Sequence, residues 1–133
     1  MRIGNQQILY INALEDISGA KARDCVIFPN QITFLVRGSE IGKAIGKNGA
    51  TIRDVRQRIG KNVEVLEWTE DPKAFLKKAI FPVKATGVEL NGKTVVLRLD
   101  PENRRKMHER MNKLKRLKEL MNRAYGVEEI RMK

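Results

Sequence analysis

Apolar positions in the first half of the chain switch between helical and extended spacing. A first helix is predicted by apolar residues at intervals of four and three, Tyr10, Leu14 and Ile17. Residues 25–28 predict a short strand, and Pro29-Asn30 is a turn signal. The next strand is predicted to have one buried face, formed by the alternating apolar residues Ile32, Phe34 and Val36.

Two helices and a third strand are predicted after this hairpin. Ser39 predicts a helix N-cap, and the helix runs to about Ile45. The sequence Gly46-Lys47-Asn48-Gly49 interrupts it. A second helix follows, ended by Gly60, with three apolar residues on one side, Ile52, Val55 and Ile59. Residues 63–68 predict the closing strand.

The second half of the chain repeats this order. Asp71 and Asp100 each precede a proline. Each Asp-Pro dipeptide predicts a helix start, with the aspartate as N-cap and the proline at the first helical position. Two strands, residues 84–90 and 95–99, are predicted around a turn at Asn91-Gly92. Apolar residues at helical spacing then predict one or two helices from Met107 to Ala124, ended by Gly126, and a last strand over residues 127–132.

Both halves therefore share one order: helix, strand, strand, helix, helix, strand. Equivalent positions are separated by 62 to 64 residues, as in the pairs Ile32 with Val95, Gly46 with His108, and Val63 with Val127. This repeat predicts the α+β class, with two copies of one small fold. We expect a first domain over residues 1–70 and a second over residues 71–133.

Charge is concentrated in the second half. The 133 residues include 27 Lys and Arg against 16 Asp and Glu, a formal net charge of +11. Residues 71–133 hold 17 basic and 8 acidic side chains, a net charge of +9. Basic residues cluster at residues 104–123, and a more local cluster spans residues 43–61. Such an excess on a short chain favours a polyanionic partner.

Composition argues against several other classes of function. A single cysteine, Cys25, cannot form an internal disulfide or a thiolate cluster, and we expect it to be buried in a strand. His108 is the single histidine, which argues against a histidine-rich metal site and a two-histidine mechanism. The glycine spacings around residues 38–46 do not match a Walker A loop, so the sequence does not support nucleotide hydrolysis. No apolar run reaches the roughly 18–20 residues that cross a bilayer, and the first residues lack the apolar stretch of a signal peptide. We therefore expect a cytoplasmic protein without enzyme activity, metal, cofactor or membrane association.

The sequence from Ile45 to Ile52 is the candidate binding site. Its two glycines allow a sharp turn and close approach of a sugar-phosphate strand, and the helix that follows offers free N–H groups. The flanking isoleucines can form the floor of a groove for unstacked bases. We predict that a single strand is held by Lys43, Ile45, Gly46, Lys47, Asn48, Gly49, Ile52, Arg53 and Arg56. The alternative is a tight helix–helix turn, which often needs two glycines as well.

These residues resemble the signature of the KH domain, whose Gly-x-x-Gly loop clamps about four nucleotides of backbone. The element order is similar to the type II KH arrangement, and two such units in tandem resemble the KH pair of NusA transcription factors. Residues 22–25 and 60–67 are similar to the stand-alone NusA-like proteins of archaea. The resemblance implies a single-stranded RNA-binding protein that acts in transcription elongation or termination, with RNA polymerase as a candidate partner. A ribosome-associated or ribosomal-RNA-maturation protein is the alternative.

The second half departs from the motif. Its equivalent sequence, His108-Glu109-Arg110-Met111, lacks both glycines and places the anion of Glu109 where a phosphate would approach. The resemblance therefore does not extend the clamp to this half. Accessory phosphate contacts are still open to nearby basic residues, Arg104, Arg105, Lys106, Arg110 and Lys113. The alternative is a packing element with a charged outer face.

Overall fold

The chain divides into two compact units. The computed structural model describes residues 4–133, so residues 1–3 of the first predicted domain lie outside the described residues. One unit ends at Thr69, and the other spans Glu70–Lys133. No helix in the described part of the chain is long and apolar enough to cross a bilayer.

The first unit has the predicted order of elements. Helix α1 (Asn5–Ser18) precedes strands β1 (Ala22–Phe28) and β2 (Gln31–Arg37), helices α2 (Gly38–Ile45) and α3 (Ala50–Ile59), and strand β3 (Asn62–Trp68). Strand β2 is central, with β1 antiparallel on one side and β3 parallel on the other. A parallel pair needs a crossover connection, which α2 and α3 provide.

The core of this unit lies against β2. The predicted buried face is confirmed, because three of its side chains are fully buried, Ile32, Phe34 and Val36. Cys25 on β1 is buried in the same core, as expected. The prediction of a single buried face was wrong, because Thr33 and Leu35 are also fully buried. As the central strand, β2 has neighbours on both sides, and Leu35 lies in register between Asp24 and Leu66.

Glycine ends α3, as predicted. Gly60 has a φ of 76°, in the left-handed region, and its N–H donates to the Arg56 carbonyl. The predicted Ser39 cap was wrong. Helix α2 begins at Gly38 with Arg37 in the N-cap position and no side-chain cap, because β2 runs directly into the helix.

The second unit repeats the topology. It contains α4 (Pro72–Ala79), β4 (Gly87–Asn91), β5 (Thr94–Arg98), α5 (Pro101–His108), α6 (Met111–Tyr125) and β6 (Glu129–Met132). Strand β5 is central, with β4 antiparallel and β6 parallel to it. The apolar spacing from Met107 onward belongs to two helices, and Gly126 ends the second. The α+β class with two copies of one element order is confirmed.

Both predicted Asp-Pro helix starts are present. Asp71 Oδ1 accepts a hydrogen bond from the Lys73 N–H (3.0 Å), and Asp100 Oδ1 accepts one from the Asn103 N–H (2.8 Å). Asp100 Oδ1 also accepts a hydrogen bond from the side-chain amide of Asn103 (3.0 Å), and the two bonds from Asn103 are the main cause of the lowered pKa of Asp100. The strand predicted from residue 84 begins only at Gly87, because the Lys84 N–H donates to Asn103 Oδ1 (2.9 Å).

Asn103→Ala is expected to lower the free energy of unfolding by about 1–3 kcal/mol. The side chain of Asn103 is largely buried, and its removal leaves the Lys84 N–H without its acceptor. Chemical denaturation measures the change. Asn112→Ala, on the exposed face of α6, is the control and should cost less than about 0.5 kcal/mol. Equal effects of the two variants would contradict the structural role of Asn103.

Candidate nucleic-acid interface

The predicted Gly-x-x-Gly sequence forms the connection between α2 and α3. We call residues 46–49 the clamp loop. It contains a single 3-10 turn, Lys47–Gly49, and three of its residues have positive φ: Gly46 (73°), Asn48 (53°) and Gly49 (74°). Asn48 is the only such non-glycine residue in the described part of the chain. The backbone therefore reverses sharply between two helices, as the sequence predicted.

Gly46 is required by sterics as well as by its backbone angles. A Cβ at this position would lie 2.1 Å from Thr51 Oγ1 and 2.9 Å from the Thr51 backbone nitrogen. Rotation of the threonine side chain cannot relieve the second contact. At Gly49 a Cβ would meet ordinary contacts only, the nearest being Arg53 Nη1 at 3.5 Å, so its positive φ is the sole constraint.

The centre of the clamp loop is open to solvent. Lys47 and Asn48 are exposed. The Gly46 and Gly49 N–H groups donate to backbone carbonyls, whereas those of Lys47 and Asn48 make no backbone hydrogen bond within residues 4–133. Two neighbouring amides and one lysine ammonium are therefore available at the start of α3, where the helix dipole favours an anion.

The other predicted basic residues near this loop differ in their hydrogen-bond and ion-pair partners. Arg53 Nη1 donates to the Asn48 carbonyl (2.9 Å), which fixes the loop and places a guanidinium beside it. Arg56 donates twice to the Val63 carbonyl (3.2 and 3.3 Å) and so bridges α3 and β3. Lys43 Nζ lies 3.1 Å from the Glu40 carboxylate. The hydrogen bond from Lys43 is the largest cause of the lowered pKa of Glu40, and the negative charge of Glu40 partly offsets the positive charge of Lys43 at this surface.

A groove lies between α3 and β3. Its volume is about 450 Å³, and it is lined by Gln31, Ile52, Arg56, Asn62, Val63, Glu64 and Val65. Ile52, Val63 and Val65 supply an apolar floor, and Arg56 stands on one wall. Glu64 Oε1 accepts hydrogen bonds from Gln31 (3.1 Å) and Thr33 (3.3 Å), which orient the acidic side chain in the groove.

The two isoleucines predicted for the floor differ in their positions. Ile52 lines the groove and is 8% exposed, so its side chain belongs largely to the core. Ile45 packs against the same core and does not line the groove. The structure therefore brings Ile52 and Arg56 together in the groove, with the clamp loop, Lys43 and Arg53 at the helix ends beside it.

The corresponding connection in the second unit has a different backbone. Glu109 and Arg110 join α5 to α6 without positive φ, and their N–H groups donate to the carbonyls of Arg105 and Met107. The amides that are open in the first unit are thus occupied here. The sequence prediction that this connection lacks the clamp geometry is consistent with these bonds.

Each predicted accessory basic residue has a partner inside the second unit. Arg105 and Lys106 face glutamates on α5 or just after it, at 3.9 and 3.5 Å. The remaining three donate to backbone carbonyls: Arg104 to Leu99, Arg110 to Lys106 and Lys113 to Phe81. All five contacts lie within the second unit.

Sequence reasoning missed several residues that the fold places at the surface of the first unit. Arg23 lies over the Trp68 ring, with its guanidinium carbon 3.8 Å from the ring centroid. A second cleft is lined by the Pro29-Asn30 turn together with Gln57, Lys61 and Asn62. The sequence identified Pro29-Asn30 only as a turn, because the register of three separate elements is needed to bring these residues together.

Comparison with known proteins gives one family and several relatives. A family model described as KH domain matches residues 9–99. The "Probable transcription termination protein NusA" of Methanocaldococcus jannaschii is 26% identical over 99% of this chain and 75% of its own length. The protein of the same name from Halococcus morrhuae is 30% identical over 67% of this chain and 64% of its own length. The crystal structure of APE1850 matches with a TM-score of 0.88 and 27% identity, over 98% of this chain and 100% of that chain.

Gly46→Ala is expected to destabilise the first unit by about 1–3 kcal/mol, because Thr51 and the start of α3 must move. Gly49→Ala meets no clash and should cost about 1 kcal/mol for its left-handed backbone alone. Thermal and urea unfolding of both variants measures the difference. A Gly46 variant as stable as the Gly49 variant would contradict the close approach to Thr51.

Proposed function

The chain belongs to the KH domain family, and we propose that it binds single-stranded RNA through the clamp loop of its first unit. In this proposal, residues 1–70 form the binding domain, and residues 71–133 form a second KH-like domain with a degenerate loop. One observation supports the assignment most strongly. Lys47 and Asn48 are exposed, their amides make no backbone hydrogen bond within residues 4–133, and a groove with both apolar and polar lining lies between α3 and β3.

The second unit argues against a purely structural role for the glycines. It has the same order of helices and strands and the same sheet pairing, yet its helix–helix connection contains neither glycine. The second unit therefore reaches the same topology without a Gly-x-x-Gly turn. The turn in the first unit instead exposes backbone donors, which is what recognition of a phosphate requires.

The arrangement suits a strand whose bases are unpaired. Phosphates would lie against the clamp loop, where the amides, Lys47 and the start of α3 all favour negative charge. Bases would lie in the groove, on the apolar surface of Ile52, Val63 and Val65. The acidic side chain of Glu64 lies on this base side, where it can accept hydrogen bonds from exocyclic amino groups.

We further propose that the bound RNA is a nascent transcript and that the protein acts in transcription elongation or termination in the cytoplasm, with RNA polymerase as a partner. The names of the matched archaeal relatives support this role. The function is binding rather than catalysis. Purification of the protein from its native cells separates this role from the alternative, since RNA polymerase should accompany it, whereas ribosomal subunits would favour a role in ribosome assembly.

The double variant Lys47→Asp/Asn48→Asp is expected to weaken single-stranded RNA binding at least about tenfold, because two carboxylates would repel the phosphate at the clamp loop. The melting temperature should change little, because both side chains are exposed and Asp tolerates positive φ. Fluorescence anisotropy with a labelled oligonucleotide measures the binding.

Arg110→Asp/Asn112→Asp is the matched control, because it changes the net charge by the same amount in the second unit. It should weaken binding much less than the clamp-loop variant. The reverse order of the two effects would assign the main RNA contact to the second unit.

RNA affinity is expected to fall as salt rises, with a logarithmic slope of roughly −3 if about four cations neutralise phosphates. Lys47→Gln removes one of these cations and should make the slope shallower by about 0.7. Titrations across a range of potassium chloride concentrations measure both slopes. A salt-independent affinity would be incompatible with phosphate binding.

A further inference from the structure

We infer that the first unit holds an additional nucleotide beyond the clamp, in a second cleft at the opposite end of α3. This inference rests on the proposed function and extends it. The cleft has a volume of about 590 Å³ and is lined by Pro29, Asn30, Arg56, Gln57, Gly60, Lys61 and Asn62. We call it the distal cleft.

The distal cleft adjoins the groove between α3 and β3. Arg56 and Asn62 line both spaces. The two guanidinium bonds to the Val63 carbonyl hold Arg56 at the junction. An RNA strand that leaves the groove beside Arg56 and Asn62 therefore meets a fixed cation and residues of the distal cleft.

Local structure keeps this end open. Helix α3 stops at Gly60, whose left-handed backbone turns the chain into β3 within two residues. A Cβ at Gly60 would meet no atom within 4 Å, so the space beside it is free. On the other side, the β1–β2 turn contributes Pro29 and Asn30, which are both exposed. A short helix–strand connection and a tight hairpin thus leave a recess between them.

The side chains that line the distal cleft are suited to bind a base and its phosphate. Three side-chain amides, Asn30, Gln57 and Asn62, each offer a donor and an acceptor, as the edge of an unpaired base requires. Lys61 and Arg56 supply positive charge for the adjoining phosphate. None of the seven lining residues in this described part of the chain is acidic, whereas the groove contains Glu64.

The extent of α3 also favours an additional site. Its ten residues rise by about 15 Å, and the cleft lies along the last turn of the helix and the residues that follow it. A Gly-x-x-Gly clamp holds about four nucleotides. We assign the clamp loop and the groove together to these four, and the distal cleft to one adjoining nucleotide, which Asn30 and Gln57 would contact.

The test compares RNA oligonucleotides of four to seven nucleotides, lengthened at the 5′ end in one series and at the 3′ end in another. Affinity is measured by fluorescence anisotropy and by NMR titration of the side-chain amide resonances. For the intact protein, one series should gain about three- to tenfold in affinity at a single added nucleotide, with shifts of the Asn30 and Gln57 resonances at that step. An abasic residue at the same position should lose most of the gain.

Asn30→Ala/Gln57→Ala should abolish this step and leave tetranucleotide affinity unchanged, because neither residue lines the groove. Asn112→Ala is the control and should retain the step. Equal gains at both ends, or a step that persists in the double variant, would overturn the distal cleft but leave the clamp intact. RNA binding of every length that is insensitive to the Lys47→Asp/Asn48→Asp substitution would instead refute the proposed function.

Discussion

The close approach of Gly46 to Thr51 is the constraint on which the interface depends. Because residue 46 has no Cβ, α2 can end with the Gly46 N–H on the Gly42 carbonyl, and α3 can begin four residues later. That reversal leaves Lys47 and Asn48 outside the two helices and directs Ile52 and Val55 into the core. It also sets the phase of α3, so that Arg56, one turn after Ile52, reaches the Val63 carbonyl on β3. Loop, groove and wall are thus consequences of a single backbone turn.

The two units separate the requirements of the fold from those of the site. Both build a three-stranded sheet with the same order and pairing, and both join their last two helices by a short connection. In the second unit the amides of that connection bond to preceding carbonyls, and the neighbouring cations contact glutamates or backbone oxygens. Its larger positive charge is therefore not organised around open donors. Net charge supports attraction to a polyanion, whereas the geometry of the backbone decides where a strand is held.

Sequence patterns predicted the class, the repeated order and the clamp loop, because these depend on local spacing and on glycine. The alternation of Ile32, Phe34 and Val36 identified one face of β2, but burial of Leu35 depends on strands that pair from elsewhere in the chain. The start of β4 was misplaced for a similar reason, since Lys84 bonds to Asn103, nineteen residues away. Asn30, Gln57 and Asn62 share a cleft only through the sheet register and the end of α3. Such convergence leaves no periodic signal in the sequence.

Ultraviolet crosslinking of the protein to a single-stranded RNA, followed by mass spectrometry of the crosslinked peptides, shows which residues contact the RNA. Crosslinks are expected on peptides that contain the clamp loop, α3 and the first residues of β3. Crosslinks confined to residues 104–123 of the second unit, with none in residues 43–65, would contradict the proposed binding site.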